Sequence, residues 1–472
     1  MPIQLRSTFT RLFAMVFGAL LLTLTFSTSW AEDGWRTAKR IETNDYAGPP
    51  LIAADNLGNA TAIWTQSDAA PQQYGVWTSR YTAGKGWGKP EHINDYIGQA
   101  DHLTLAVNGK GNAIAVWAQF GLTDPNNPSA PFHSSLWSNR YDPAKGWGTP
   151  EQIQDASTYA INPKVSMDEQ GNAIVVWHQQ NATVDILNVY GKRYSKEKGW
   201  RATRLLQADA TIQGSNPLIA MNDNGDAMIG WGQLDYTTYL SNSASVRYSI
   251  KAGWMAPETL PDGFGVSQLG IDGLGNAIAI GASMDPSTFQ NNVFASRNNV
   301  RHGWSTPEML QPGTDIDGGQ LRLAMNGSGQ AIALWKETTY TSDFSYEMRA
   351  NRYVPGKGWK GSQLVGTTAI NPDTGGSNPQ IGMDGLGNAI AVWEQPNFAA
   401  QTDPYAQAPT NIQAFRFTVG DGWDTGTPIQ KGTDQATNAQ VSVTGNGRAF
   451  AVWQQQDMTT GATSLWANRF KP

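Results

Sequence analysis

The chain has 472 residues, a formal net charge of −6 and no cysteine. Negative charge argues against a nucleic-acid partner, because phosphate contacts need concentrated positive charge. The lack of cysteine excludes disulfides, thiol nucleophiles and thiolate metal sites. A chain of this length can bury enough surface to fold without such cross-links.

Residues 1–31 have the pattern of an export signal. Arg6 and Arg11 give a basic start, an apolar stretch runs from Leu12 to Phe26, and Ser29-Trp30-Ala31 places small residues at positions −3 and −1 before Glu32. The alternative is a membrane anchor, for which the apolar stretch is short. We therefore expect cleavage, a soluble mature chain without a membrane span, and a periplasmic or extracellular location.

After the signal, one sequence unit recurs eight times and is identified by three markers in constant order. The markers are a Gly-Trp pair, an Asp/Asn-x-x-Gly-x-Ala turn that only Thr444 breaks, and an arginine on a β-like run. An aromatic residue follows this arginine in every copy except the fifth, which has Asn298. The tryptophans are Trp35, Trp87, Trp147, Trp200, Trp254, Trp304, Trp359 and Trp423; the first glycines of the turn are Gly58, Gly111, Gly171, Gly225, Gly275, Gly329, Gly387 and Gly447; the arginines are Arg80, Arg140, Arg193, Arg247, Arg297, Arg352, Arg416 and Arg469.

Each unit divides into four short strands, which the seventh copy shows clearly. The predicted strands are Pro379–Asp384, Asn388–Gln395, Thr410–Val419 and Gly422–Gln430. A tight hairpin at 384–387 joins the first two, because aspartate caps such a turn and glycine accepts positive φ. Nothing in the mature chain has sustained helical periodicity, so the sequence predicts an all-β fold.

The order of the strands predicts how they assemble. Four strands in about 50 residues are too few for an immunoglobulin-like sandwich and match one propeller blade. The chain begins with a fourth-type strand, Gly34–Glu42, and ends with a third-type strand, Ser464–Phe470. We predict that residues 32–472 form a single eight-bladed β-propeller, closed by the N-terminal strand completing the last blade. Two four-bladed rings would leave the first ring without such a closure.

Most of the 19 tryptophans fit the repeat. A scaffold needs such a residue in every blade and a site does not, so we expect the Gly-Trp set and the second-strand set to pack between blades. The repeated arginine is expected to be structural too, stacking on a tryptophan face; the alternative is that its eight copies mark ligand sites. Trp77, Trp137 and Trp466 precede the arginine by three residues in only three copies, and are candidate binding residues. The second-strand set, which Gly281 interrupts in the fifth copy, is Trp64, Trp117, Trp177, Trp231, Trp335, Trp393 and Trp453.

Loops that vary between copies mark one face of the predicted propeller, here called the variable face. They join the second strand to the third and the fourth to the next first strand, and function usually sits on such loops. Two are long. The loop at 120–134 contains Asp124 and His133, and the loop at 396–411 contains Asp403 and Tyr405. These are binding candidates, with ordinary surface insertion as the alternative.

Acid–base candidates come from a position that the repeat leaves free. The second strand ends Trp-x-Gln in most copies, and x is His178, Lys336 or Glu394 in the third, sixth and seventh copies; Glu337 replaces the glutamine in the sixth. A pocket that gathered these residues could support catalysis. The alternative is unrelated solvated charges, since their blades are only partly adjacent.

We expect no cofactor and no metal. Every fourth-to-first loop holds an aspartate that could attract Ca²⁺, but loop aspartates are common turn formers and no Asp-x-Asp-x-Asp-Gly loop occurs. The five histidines have no ligand-like spacing. The loop aspartates are Asp45, Asp95, Asp155, Asp209, Asp262, Asp317, Asp373 and Asp434.

The Asp/Asn-x-x-Gly…Trp units resemble the Asp-box repeats of sialidase-type propellers. The hairpin here joins the first two strands rather than the last two, and the sialidase arginine triad with its Tyr–Glu pair has no place on these residues. The order of Pro-x-Val/Ile first strand, apolar second, aromatic third and Gly-Trp fourth strand looks more like fucose-binding lectin propellers. In that family the sugars lie between blades, against Trp, Arg and Glu. Quinoprotein dehydrogenases and propeller polysaccharide lyases are further comparisons without a matched motif.

These observations favour a secreted, non-catalytic and monomeric binding propeller that recognises a glycan or a cell-surface protein. The alternatives are a carbohydrate-active enzyme, either a glycoside hydrolase or a polysaccharide lyase, with one site on the variable face, and an envelope assembly scaffold.

Overall fold

The computed structural model describes residues 34–43, 46–67, 74–94, 98–122, 132–154, 159–181, 186–261, 263–311, 316–339, 345–369, 377–401 and 408–472. In these ranges the fold is all-β, built from antiparallel sheets, and its helical element is a single 3-10 turn over Phe398–Ala400. Within the same ranges, no helix is long and apolar enough to cross a membrane. The predicted export signal lies outside the described residues and stays a prediction.

In the part of the chain that the structure describes, eight units of four strands follow one another, numbered 1 to 8 by their first strands. The first strands are Leu51–Ala54, Gln99–Val107, Ala160–Met167, Gln213–Met221, Gly265–Ile271, Ile316–Met325, Ser377–Met383 and Gln435–Val443. The second strands are Ala60–Ser67, Ala113–Leu122, Ala173–Asn181, Ala227–Asp235, Ala277–Met284, Ala331–Thr339, Ala389–Pro396 and Ala449–Gln456. The third strands are Tyr74–Thr82, Phe132–Asp142, Ile186–Ser195, Leu240–Ser249, Asn291–Asn299, Ser345–Val354, Thr410–Thr418 and Thr463–Lys471.

The fourth strands differ from the continuous strands that the sequence predicts. In unit 2, Trp147 lies opposite Tyr141 while Glu151 lies opposite Ser138. Four steps along the fourth strand therefore match three along the third, which is a β-bulge that splits the strand into two pieces. In unit order the pieces are Gly86–Trp87 and Glu91–His92, Gly146–Trp147 and Glu151–Gln152, Gly199–Trp200 and Arg204–Leu205, Gly253–Trp254 and Glu258–Thr259, Gly303–Trp304 and Glu308–Met309, the unbroken Gly358–Ala369, Gly422–Trp423 and Thr427–Pro428, and, for unit 8, Gly34–Trp35 and Lys39–Arg40.

The fourth strand of unit 8 comes from the start of the chain. Trp35 lies opposite Phe470 and Lys39 lies opposite Ala467, both in antiparallel register. The inner edges of the sheets meet as well. Each first strand contacts the first strand of the next unit, and the first strand of unit 8 contacts that of unit 1.

The second-strand tryptophans form the centres of the contacts between units. All seven are at most 1% exposed, and Trp177 of unit 3 packs against Val116 of unit 2. In six units the indole N–H donates to the side chain two residues later, as from Trp64 to Gln66 at 2.7 Å. Burial of an indole of 150–250 Å² stabilises the fold by about 4–6 kcal/mol as an upper bound.

Candidate functional site

In seven units the repeated arginine lies over the aromatic ring of the next unit. Arg80 of unit 1 lies over the ring of Tyr141 in unit 2, 4.6 Å from its centroid. In unit 4 the next unit has no aromatic at this place, and Arg247 instead donates to Asn298 at 2.6 Å. The remaining pairs are Arg140 with Tyr194, Arg193 with Tyr248, Arg297 with Tyr353, Arg352 with Phe417, Arg416 with Phe470 and Arg469 with Tyr81.

The arginine therefore packs against the next unit, and its stacking partner is an aromatic residue of that unit rather than the predicted tryptophan. The Gly-Trp tryptophan packs with its edge or at a tilt against the aromatic of its own unit, as Trp147 does against Tyr141 at 5.6 Å and 64°. The face of that aromatic remains open to the arginine of the preceding unit, which supplies a cation–π contact.

Open clefts lie between neighbouring units beside these pairs. The cleft between units 2 and 3 has a volume of about 310 Å³ and is lined by Arg140, Trp147 and Tyr194. Similar clefts have volumes of about 500 Å³ between units 8 and 1, 430 Å³ between units 3 and 4, and 220 Å³ between units 7 and 8. The cleft between units 8 and 1 is lined by Arg469, Tyr81 and Trp87. The cleft between units 3 and 4 is lined by Arg193, Tyr248 and Trp254, and the cleft between units 7 and 8 by Arg416 and Phe470.

Arg140, which lines the cleft between units 2 and 3, is paired with Glu151, which lies outside the cleft lining. Arg140 donates to both carboxylate oxygens of Glu151 at 2.9 Å, and the side chains remain 28% and 45% exposed. The hydrogen bonds from Arg140 lower the pKa of Glu151 against the opposing effect of burial. Donors, acceptors and aromatic rings thus share a solvent-reachable cleft, an arrangement that can hold the hydroxyl groups and apolar faces of a sugar.

The structure does not bring the acid–base candidates together. Among the described residues no contact joins His178, Lys336 and Glu394. Lys336 lies 4.0 Å from the centroid of the Tyr346 ring, and burial lowers its pKa. Glu337 follows it directly and points to the other face of the strand, as alternation requires.

Both candidate carboxylates accept hydrogen bonds within the scaffold. Glu337 takes the place of the usual glutamine, accepts from the Trp335 indole at 3.2 Å, and pairs with Arg349 at 2.8 Å. Burial raises the pKa of Glu337, and the charge of Arg349 opposes this rise.

Glu394 joins unit 7 to unit 8. It accepts from the Ser377 hydroxyl at 3.0 Å, the Asn378 amide at 2.8 Å and the backbone N–H of Asn438 at 2.7 Å. Asn438 lies at a β-bulge of the next first strand with φ of 56°. The carboxylate of Glu394 therefore has a clear structural use at this junction.

His178 is buried, with 4% of its surface exposed. Its Nε2 has no hydrogen-bond partner among the described residues. Burial, and secondarily the charge of Lys164, lowers the pKa of His178 to about 4. The imidazole is consequently neutral at pH 7.

The depressed pKa of His178 predicts an acid-sensitive stability. As pH falls below 6.5, an unfolded chain binds a proton at this residue while the folded chain stays neutral until about pH 4. The free energy of unfolding therefore falls by about 3 kcal/mol in total as the pH drops from 6.5 to about 4. We expect His178→Gln, which copies Gln454 of unit 8, to flatten the difference between urea unfolding at pH 7 and pH 4. Parallel losses in variant and parent would contradict this prediction.

The predicted binding residues occupy separate places. Trp77, Trp137 and Trp466 are half-buried and lie opposite Trp64, Trp117 and Trp453 on the neighbouring strands. His133 is half-buried and its Nδ1 has no partner within the described part of the chain. Asp124, Asp403 and Tyr405 lie outside the described residues, and their roles stay predictions.

The loop aspartates that the structure describes act in turns and loops. Asp209 accepts from the backbone and hydroxyl of Thr211 at 2.8 and 2.7 Å, and Asp317 accepts from the backbone N–H of Asn291 at 2.8 Å. In the described ranges, no group of three His, Cys, Asp or Glu side chains could hold a metal ion. The other predicted loop aspartates except Asp434 lie outside those ranges.

No protein-family model and no curated protein matches the chain. Among solved structures, it is similar to an ulvan lyase, with 9% identity and a TM-score of 0.45 over 83% of this chain and 96% of the lyase. It is also similar to the NanB sialidase from Streptococcus pneumoniae, with 10% identity and a TM-score of 0.39 over 89% and 85% of the two chains. A protein of unknown function from Dyadobacter fermentans has 11% identity and a TM-score of 0.42 over 93% and 99%. At these values none of them assigns a role to a residue of this chain.

Proposed function

We propose that the eight units are the blades of one closed eight-bladed propeller. Three independent contacts between the two ends of the repeat support this architecture. The strands at Trp35 and Phe470 pair, the first strands of units 8 and 1 touch, and Arg469 lies 5.2 Å from the centroid of the Tyr81 ring. The last contact repeats the arginine–aromatic pairing found between other neighbouring units.

On this scaffold we propose a non-catalytic, multivalent glycan-binding function, with binding positions in the clefts between blades. The observation that carries the proposal is that an arginine and an aromatic residue line a cleft at four junctions. The clefts between units 8 and 1 and between units 3 and 4 share a lining from the fourth strand of the preceding unit, and the other two clefts include the first-to-second turn of the following unit. Three of these clefts also include the Gly-Trp tryptophan. The clefts between units 2 and 3 and between units 8 and 1 include residues of the short third-to-fourth turns, and the cleft between units 7 and 8 includes residues of the first-to-second turns. The sequence predicts a site on the variable face instead.

A non-catalytic role accounts better for the buried carboxylates. A general acid or base must reach the substrate, whereas Glu337 and Glu394 are 2% and 5% exposed and hold neighbouring strands. The repeated arginine and its aromatic partner are likewise used for packing, and a bound sugar would meet only their exposed edges.

The test is a glycan array followed by calorimetry with the mature chain. We expect binding of at least one glycan class with more than one equivalent site per chain, because the cleft repeats. Trp147→Ala should remove one site and leave the others, while the surface variant Lys198→Ala should change nothing. Silence across neutral and acidic glycans, or a single site on the variable face, would overturn the proposal.

A further inference from the structure

One position of the fourth strand changes its charge between units. It lies four residues after the Gly-Trp tryptophan and opposite the residue two before the repeated arginine. Glu151 of unit 2 faces Ser138 in this way, Arg204 of unit 3 faces Gly191, and Lys39 of unit 8 faces Ala467. Units 1, 2, 4 and 5 have glutamate here: Glu91, Glu151, Glu258 and Glu308.

The change from glutamate to arginine leaves the cleft between units 3 and 4 without a counter-charge. In unit 2 the glutamate pairs with the repeated arginine. In unit 3 Arg204 stands in its place, and Arg193 and Arg201 line the same cleft. Arg201 and Arg204 are exposed, and the described lining contains no carboxylate. Three guanidinium groups thus share a cleft of about 430 Å³ with Tyr248 and Trp254.

In the cleft between units 8 and 1, a cation, Lys39, likewise takes the position that holds glutamate in other units. Its volume is about 500 Å³, and its cationic lining residues are Arg36, Lys39, Lys85 and Arg469, again with no carboxylate among the described lining. One guanidinium nitrogen of Arg36, Nη2, is buried and has no hydrogen-bond partner among the described residues. The cleft thus presents four cations without a counter-charge in its described lining.

The two basic clefts contrast with the composition of the chain. The formal net charge is −6, so an average surface region should not collect three or four cations without an acid. A guanidinium presents parallel N–H donors that match the oxygens of a carboxylate or sulfate group. The aromatic side chains beside it can contact the sugar ring that carries such a group.

We propose that the clefts between units 3 and 4 and between units 8 and 1 select saccharides that carry a carboxylate or sulfate group. This inference rests on the proposed glycan-binding function and adds the ligand class. In the cleft between units 2 and 3, Arg140 pairs with Glu151, and the lining holds Asp142 beside Lys145 and Lys196. We expect weaker selection for acidic saccharides there.

Calorimetry with three matched probes tests the selection: a galacturonate oligosaccharide, a sulfated galactose oligosaccharide, and the neutral galactose oligosaccharide of the same length. We expect two sites per chain for an acidic probe, with an affinity that falls as salt rises. Arg204→Glu and Lys39→Glu restore the glutamate of the other units, and each should remove one acidic site by weakening it at least about 10-fold.

The reverse substitution is the matched control. Glu151→Arg gives unit 2 the residue of unit 3, and we expect it to add a third acidic site. Lys198→Glu changes an exposed charge away from this position and should leave both sites intact. Thermal melting of each variant shows whether the fold is retained, which is expected because all four side chains reach the surface.

The outcomes separate the two proposals. Equal binding of neutral and acidic probes would overturn the selection and leave glycan binding standing. Failure of every probe, together with a silent glycan array, would overturn both. Inorganic sulfate that binds as tightly as the sulfated oligosaccharide would show that the clefts hold a free anion, which contradicts recognition of a saccharide.

Discussion

Deletion of residues 32–43 is expected to destabilise the mature chain by about 4 kcal/mol. This segment buries Ile41 to 3% and Ala38 to 7% exposure and half-buries Trp35. Full burial of an isoleucine is worth about 1.5–3 kcal/mol and a half-buried indole adds about 2 kcal/mol. The deletion also leaves the third strand at Phe470 with an unpaired edge. Urea unfolding of the two chains, followed by tryptophan fluorescence, measures the difference.

An add-back experiment makes the deletion informative. A synthetic peptide of residues 32–43, added to the shortened chain, should restore much of the lost stability. An unchanged unfolding midpoint in the shortened chain would show that the terminal pairing contributes nothing.

Trp393→Ala is expected to cost about 3–5 kcal/mol, the range for removal of a fully buried tryptophan or phenylalanine. Trp393 is 0% exposed, stacks on Phe415 with centroids 4.0 Å apart, and donates from its indole N–H to Gln395 at 3.3 Å. The substitution would leave a cavity between units 6 and 7, where Trp393 packs with Leu334 and Met348. Equilibrium unfolding in urea measures the loss.

Trp423 of the same unit supplies the matched control, since it is only half-buried. Trp423→Ala should therefore cost clearly less than Trp393→Ala, and Trp393→Phe should recover part of the loss by filling the cavity. Equal losses at the two tryptophans would contradict the distinction between the second-strand set and the Gly-Trp set.

The regular part of the fold could be predicted from the sequence because its signals are local. Glycine at the turn, the apolar run AIAVW and the Gly-Trp pair each depend on a few neighbouring residues. They predict the ends of the first three strands of unit 7 to within two residues, but not the break in the fourth strand. The bulge after Trp423 was missed because it depends on the register between two strands. No single residue type marks it, and unit 6 has a continuous strand from Gly358 to Ala369.

The site was harder to predict because its contacts cross from one unit to the next. In the sequence, the aromatic residue that follows each arginine indicates the stacking between units. The one copy with Asn298 in place of the aromatic indicates the junction where Arg247 forms a hydrogen bond instead. Comparison of the fourth strands would also have shown Arg204 and Lys39 replacing glutamate. The grouping of Lys336 with Glu337 as one pocket conflicts with strand alternation, which sends consecutive side chains to opposite faces.

The pairing of Trp35 with Phe470 joins two residues that are 470 − 35 = 435 positions apart. During synthesis the first strand is made first, yet its partner is among the last residues to emerge. The N-terminal strand must therefore stay without its partner strand until the end of synthesis, whereas the strands of units 1 to 7 can pair with strands that are near in sequence. Closing so long a loop in an unfolded chain would cost about 5 kcal/mol of entropy, whereas assembled units already hold the two ends close. We therefore expect the N-terminal strand to pair with the third strand of unit 8 only after the other units have formed.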